Sequence, residues 1–119
     1  MDFTFDNNIP IYIQLLEYMK IYLISGVFKA GDKLPSVRDF ANTFKVNPNT
    51  MQKALAELES MKLIYTERTN GKFVTKDEKL IEKLKDEYAM TLAKSYFDGM
   101  KKIGLGKADS IKYLERINN

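Results

Sequence analysis

The chain of 119 residues contains neither cysteine nor histidine. Their absence removes disulfides, thiolate zinc sites, nucleophilic triads built on an imidazole, and an imidazole acting as general base. Long apolar runs are missing too: the stretch from Ile9 to Ile24 is broken by Pro10, Gln14, Glu17 and Lys20 and is too polar to span a bilayer. The opening Met1-Asp2-Phe3-Thr4-Phe5-Asp6 is acidic and lacks the basic region and small-residue cleavage site of a secretion signal, so a cytoplasmic location is expected. Gly104-Leu105-Gly106 has no strand before it and no third glycine after it, so it does not form a phosphate-binding loop. The acids Glu82, Asp86 and Glu87 alternate with Lys79, Lys83 and Lys85, the pattern of a solvated helix face and not of a metal or acid–base site. No enzyme activity, metal or cofactor is therefore expected.

What is present describes an ordinary globular chain, 45% hydrophobic and 29% charged, of a length that suits one small domain with an appendage. Tyr12, Leu15, Leu16, Met19, Tyr22 and Leu23 recur at helical spacing, with Pro10 placed to be the first helical residue and Gly26 to end the helix. Ser36 is a good cap for a short second helix with Val37, Phe40, Ala41 and Phe44 inward. Asn47-Pro48 is a second start signal almost at once, and it predicts a third helix with Met51, Ala54, Leu55, Leu58 and Met61 inward. Leu63 to Thr66 and Phe73 to Thr75 are β-prone, and Asn70-Gly71 between them offers the positive φ angles of a tight hairpin turn. The expected fold is mainly α with a small β-hairpin: a winged helix-turn-helix over residues 9–76, then a two-helix tail over 77–119. In that tail Ile81, Leu84, Tyr88, Leu92, Tyr96 and Met100 keep one apolar stripe, read as a dimer interface because a helix beyond the wing has little of its own domain left to cover. The last short helix carries Ile111, Leu114 and Ile117.

The helix pair matters because a helix-turn-helix sends its second helix, N-terminal end first, into the DNA major groove. With the inward set removed, the first turns of that helix present Asn49, Thr50, Gln52 and Lys53. Amides pair bidentately with adenine, lysine reaches guanine or phosphate, and threonine reaches either or touches a thymine methyl. Between Lys29 and Ala54 five basic residues stand against two acids, a local excess equal to the whole chain's net charge of +3. Arg68, Lys72 and Lys76 place further cations on the hairpin, within reach of a neighbouring backbone or minor groove. Use of the same fold as a protein-interaction module is the alternative, but such docking favours exposed aromatics or leucines on this face, where amides, a hydroxyl and a lysine stand.

The segments from Gly26 to Arg38 and from Val46 to Ala54, with Leu58-Glu59 and Gly71-Lys72-Phe73-Val74, resemble in order the DNA-binding domain of GntR-family bacterial transcription regulators. The opening Pro10-Ile11-Tyr12-Ile13-Gln14 fits as well, and the short tail is similar to that of the YtrA-like branch. The resemblance implies a homodimer on a palindromic double-stranded operator, usually as a repressor. It implies a guanine contact for Arg38, base and phosphate contacts for Asn47, Pro48, Asn49, Thr50 and Gln52, and a wing-tip role for Gly71. Pro48 stands where other branches carry arginine and offers only shape and apolar contact. Lys62 replaces the usual glycine after the recognition helix. A tail of this length is too short to enclose a metabolite in a domain of its own, so a dedicated effector pocket is not expected.

Overall fold

The computed structural model describes residues 4–118. The elements run α1 (Ile11–Ser25), α2 (Val37–Phe44), α3 (Pro48–Ser60), β1 (Ile64–Glu67), β2 (Gly71–Val74), α4 (Glu78–Lys102) and α5 (Lys107–Glu115). The chain divides into two compact units, Met1–Glu82 and Lys83–Asn119, so the division falls inside α4 and a few residues after the boundary expected at 76.

In the first unit α3 packs on α1 and α2 and against β1. Leu15 and Met19 of α1 and Met51, Ala54, Leu55 and Leu58 of α3 are completely buried, as the three-four spacing of both helices requires. Phe40, Ala41 and Phe44 close the core from α2. Two sequence expectations shift here. Pro10 has an extended ψ of 136° and precedes the first helical residue instead of being it. Met61, expected inward, is 37% exposed because the helix has ended and it occupies the cap.

The end of α3 shows how the chain manages without a glycine. Lys62 takes a left-handed φ of 65°, its N–H donates to Glu59 O at 2.9 Å, and the Leu63 N–H donates to Leu58 O at 3.0 Å. These are the two bonds of a Schellman cap, closed by burial of Leu58 and Leu63. The packing of that pair holds a lysine where its Cβ crowds the backbone.

The hairpin also differs in detail from its sequence signature. Glu67 pairs with Gly71, which leaves Arg68, Thr69 and Asn70 as a three-residue loop, and Asn70 N–H donates to Glu67 O at 3.1 Å. Only Gly71 has a positive φ, 105°, so Asn70-Gly71 is not a two-residue turn: the glycine follows the turn, as in a three-residue hairpin with a bulge. The chain before α2 adds a further pairing that local patterning does not announce. Leu34 N–H donates to Lys72 O and Val74 N–H to Asp32 O, each at 2.8 Å, with Lys33 bridging antiparallel to Phe73.

In the second unit Tyr96 Oη donates to Ser110 O at 2.7 Å, tying α4 to α5. Gly104, with φ 86°, ends α4 through the same double bond pattern, from Gly104 N–H to Lys101 O and from Leu105 N–H to Met100 O. Among the described residues no helix is long and apolar enough to cross a membrane.

Candidate nucleic-acid interface

Asn47 caps α3, its Oδ1 accepting from Asn49 N–H at 2.7 Å, and Pro48 occupies the first turn, where its missing N–H costs nothing. Ser36 caps α2 in the same way, accepting from Asp39 N–H at 3.1 Å. Lys45, left-handed with φ 58°, makes the sharp reversal between the two helices. These local devices leave Asn47, Pro48, Asn49, Gln52 and Lys53 exposed and Thr50 half-buried at the N-terminal end of α3. That end also carries the partial positive charge of the helix dipole, which suits a phosphate.

Arg38, expected to contact a base, is exposed on α2, and no ion pair or hydrogen bond to a described residue occupies its guanidinium. Lys53 is placed otherwise: its Nζ lies 3.8 Å from the centre of the Tyr12 ring, a cation–π contact joining α3 to α1. The stem is thereby ordered while the side chain stays at the surface.

Lys72 is the most constrained of the expected contacts. It pairs across the hairpin with Thr66, and its Nζ donates to Thr66 Oγ1 at 3.0 Å and to Glu59 Oε1 at 3.4 Å. Thr66 Oγ1 in turn donates to Glu59 Oε1 at 2.7 Å. The hydrogen bond from Thr66 holds the Glu59 carboxyl below its ordinary pKa, partial burial opposes it, and the nearby Lys72 charge adds to the lowering. This cluster borders a groove between α3 and the wing, lined by Gln52, Ala56, Glu59, Ser60 and Lys72. Glu59 was not a candidate from sequence. Its partners are 7 and 13 residues away, so no local spacing marks it.

The exposed candidates are thus Arg38 on α2, the capped N-terminal end of α3, and Gly71 next to the hairpin loop. Among the described residues no cluster of acids is arranged to hold a metal ion.

The stripe read as a dimer interface is divided in a single chain. Leu84 is buried, Tyr96 is engaged with α5, Ile81, Tyr88 and Met100 are half-buried, and Leu92 is 69% exposed. Between α4 and α5 lies an open apolar groove whose walls include Met90, Ala93, Tyr96, Phe97, Ile111 and Leu114.

Comparison with known proteins agrees with this geometry. Residues 11–74 match the family described as bacterial regulatory proteins, gntR family. The chain is 42% identical over 73 residues to the HTH-type transcriptional repressor YtrA of Bacillus subtilis, a match covering 61% of this chain and 56% of that protein. It superposes on a GntR family transcriptional regulator from Listeria monocytogenes with a TM-score of 0.88 and 39% identity, over 96% of this chain and all of that one. A DNA-binding domain solved in complex with its operator, that of AraR, matches 63% of this chain and 90% of its own with a TM-score of 0.55 and 25% identity. These relatives are transcription regulators and not enzymes. The winged helix-turn-helix, the exposed polar end of its third helix and the family match over residues 11–74 together establish that the chain belongs to the gntR family of bacterial regulatory proteins.

Proposed function

We propose that this regulator is a repressor that binds double-stranded DNA sequence-specifically, as a homodimer on an inverted-repeat operator in the cytoplasm. The observation that carries the reading is the N-terminal end of α3, where Asn49, Gln52 and Lys53 stand exposed, together with an exposed Arg38 on α2 that has no partner among the described residues. Asn49 and Gln52 read base edges in the major groove, Arg38 takes a guanine, and Asn47, Pro48, Thr50 and Lys53 fit the adjoining backbone and bases. Gly71 brings the wing close to the flanking duplex. The AraR complex with operator DNA supports this use of the fold in a related domain, and YtrA's description as a repressor supports the direction of regulation.

Dimerisation is supported by the tail. Met90, Leu92, Ile103, Ile111 and Leu114 each leave about half or more of their surface open, and the groove between α4 and α5 is apolar. A second tail covers such a surface and gives the two-fold symmetry that an inverted repeat mirrors. The stripe of Ile81, Leu84, Tyr88, Leu92, Tyr96 and Met100 contributes through its open members, Leu92 above all.

Selection of bound duplexes from a random pool at near-physiological salt tests the reading. The expected product is a palindrome with half-sites about one helical turn apart. A folded chain that enriches no sequence overturns it.

A further inference from the structure

Three cations stand at the outer end of the hairpin, and they are not equivalent. Lys72 is held by Glu59 and Thr66, and its side chain is only 18% exposed. Arg68 projects from the loop and has no hydrogen bond or ion pair to a described residue. Lys33 arrives from outside the hairpin, on the segment that bridges to Phe73. Its stem runs beside Gly71, with Cε 3.5 Å from where a Cβ on that glycine would stand, and its exposed ammonium has no described partner.

The alternation of the strands explains the difference. Ile64 and Val74 pair with each other and are buried at the base of the hairpin, and two residues farther out the same face carries Thr66 and Lys72. That face turns toward α3, where Glu59 waits, so Lys72 projects along the packed side of the wing. We propose that Glu59 is a positioning residue that latches the wing to α3 through Thr66 and Lys72, and that Lys33 and Arg68, not Lys72, are the wing cations that take DNA phosphates. This rests on the DNA-binding reading given above. A Lys72 paired with Glu59 is locally neutral and releases no counterion from DNA. Pulling it onto a phosphate leaves Glu59 unpaired in the groove beside Gln52, facing a polyanion. Lys33 and Arg68 lose no partner on binding.

Counterion release gives the test, because each phosphate neutralised adds about 0.9 to the slope of log K against log salt on B-DNA. Affinity of the full chain for a mixed-sequence duplex is measured between about 50 and 200 mM salt for the wild type and for Lys33→Met, Arg68→Met, Lys72→Met, Glu59→Gln and the double variant Glu59→Gln/Lys72→Met. Methionine keeps the aliphatic packing of the lysine stem. Lys33→Met and Arg68→Met are each expected to reduce the slope by about 0.9 per chain, about 1.8 for a bound dimer, and Lys72→Met to leave it unchanged. Glu59→Gln frees the lysine and steepens the slope by about 0.9 per chain, and the double variant removes that increment. Hydrogen exchange without DNA is expected to quicken at amides 64–74 in Lys72→Met and Glu59→Gln, and to stay as in the wild type in Arg68→Met. A lower slope for Lys72→Met with Glu59 intact, or an unchanged slope for both Lys33→Met and Arg68→Met, overturns the proposal while the DNA-binding reading stands. A wild-type chain that binds no duplex at any salt overturns the DNA-binding reading, and the phosphate assignment with it, whereas the exchange measurement still decides the latch.

Discussion

The two units of this chain treat their apolar residues in opposite ways. In the winged unit the inward side chains of α1 and α3 meet one another and are sealed, Leu15, Met51, Leu55 and Leu58 to zero exposure, while Ile13 and Ile21 lie on the outer side of α1. In the tail Leu84 is buried, while Met90, Leu92, Ile103, Ile111, Leu114 and Ile117 stand open. The winged unit has three helices and a hairpin to enclose a core. A pair of helices has only one contact seam, and apolar residues off that seam stay in water until another surface covers them. The first unit closes a core and leaves the polar end of α3 in water, and the second leaves much of its apolar surface open.

The strongest way to break this contrast is to remove volume from each side of it. Leu55→Ala in the sealed core is expected to destabilise the chain by ~2–5 kcal/mol in denaturant unfolding, through lost transfer energy and a residual cavity. A cost near zero would show that the core is not close-packed. The double change Ile111→Asp and Leu114→Asp in the tail is expected to weaken self-association by about 2–4 kcal/mol in sedimentation, as for central anchors of an interface, while the unfolding of the winged unit is unchanged. Unaltered association would place the dimer surface elsewhere.

Finer changes test the polar face. Asn49→Ala or Gln52→Ala is expected to relax discrimination at one base pair per half-site by ~1–3 kcal/mol, read by comparing single-substituted duplexes. Equal weakening on all sequences would assign these side chains to the backbone instead. Lys62→Gly is expected to stabilise the chain by about 0.5–1 kcal/mol, because glycine adopts the left-handed conformation of the cap without the Cβ clash, and its thermal midpoint should rise. The smallest effect is on pH. The Glu59 carboxyl is held below its ordinary value in the folded chain, so its contribution to docking the wing is present at neutral pH and is lost as pH falls through that lowered value. The amide resonances of Thr66 and Lys72 are expected to report that acid step, and Glu59→Gln to abolish it.

The elements that were legible in the sequence are those whose signals are local. Helical spacing marked α1, α2 and α3, Ser36 and Asn47-Pro48 marked the starts of α2 and α3, and Gly26 marked an end that the structure places in the left-handed region. The exposure of the candidate residues followed, since removing the inward residues of α3 leaves Asn49, Gln52 and Lys53 outside. Signals that two competing geometries share were read less well. Asn70-Gly71 fits a two-residue turn and also the end of a three-residue loop, and the pairing of Glu67 with Gly71 selects the second.

The sequence by itself determined the helix-turn-helix, its caps and the polar end of its third helix, because hydrophobic period, capping side chains and proline act within a few residues of where they stand. Only the tertiary structure decided which cations are free. Glu59, Thr66 and Lys72 meet because the hairpin folds back along α3, Lys53 finds Tyr12 on another helix, and Lys33 reaches Gly71 from a segment far from it in sequence. An ion pair or a cation–π contact depends on a few ångströms between side chains remote in the chain, and that distance exists only once the core has closed.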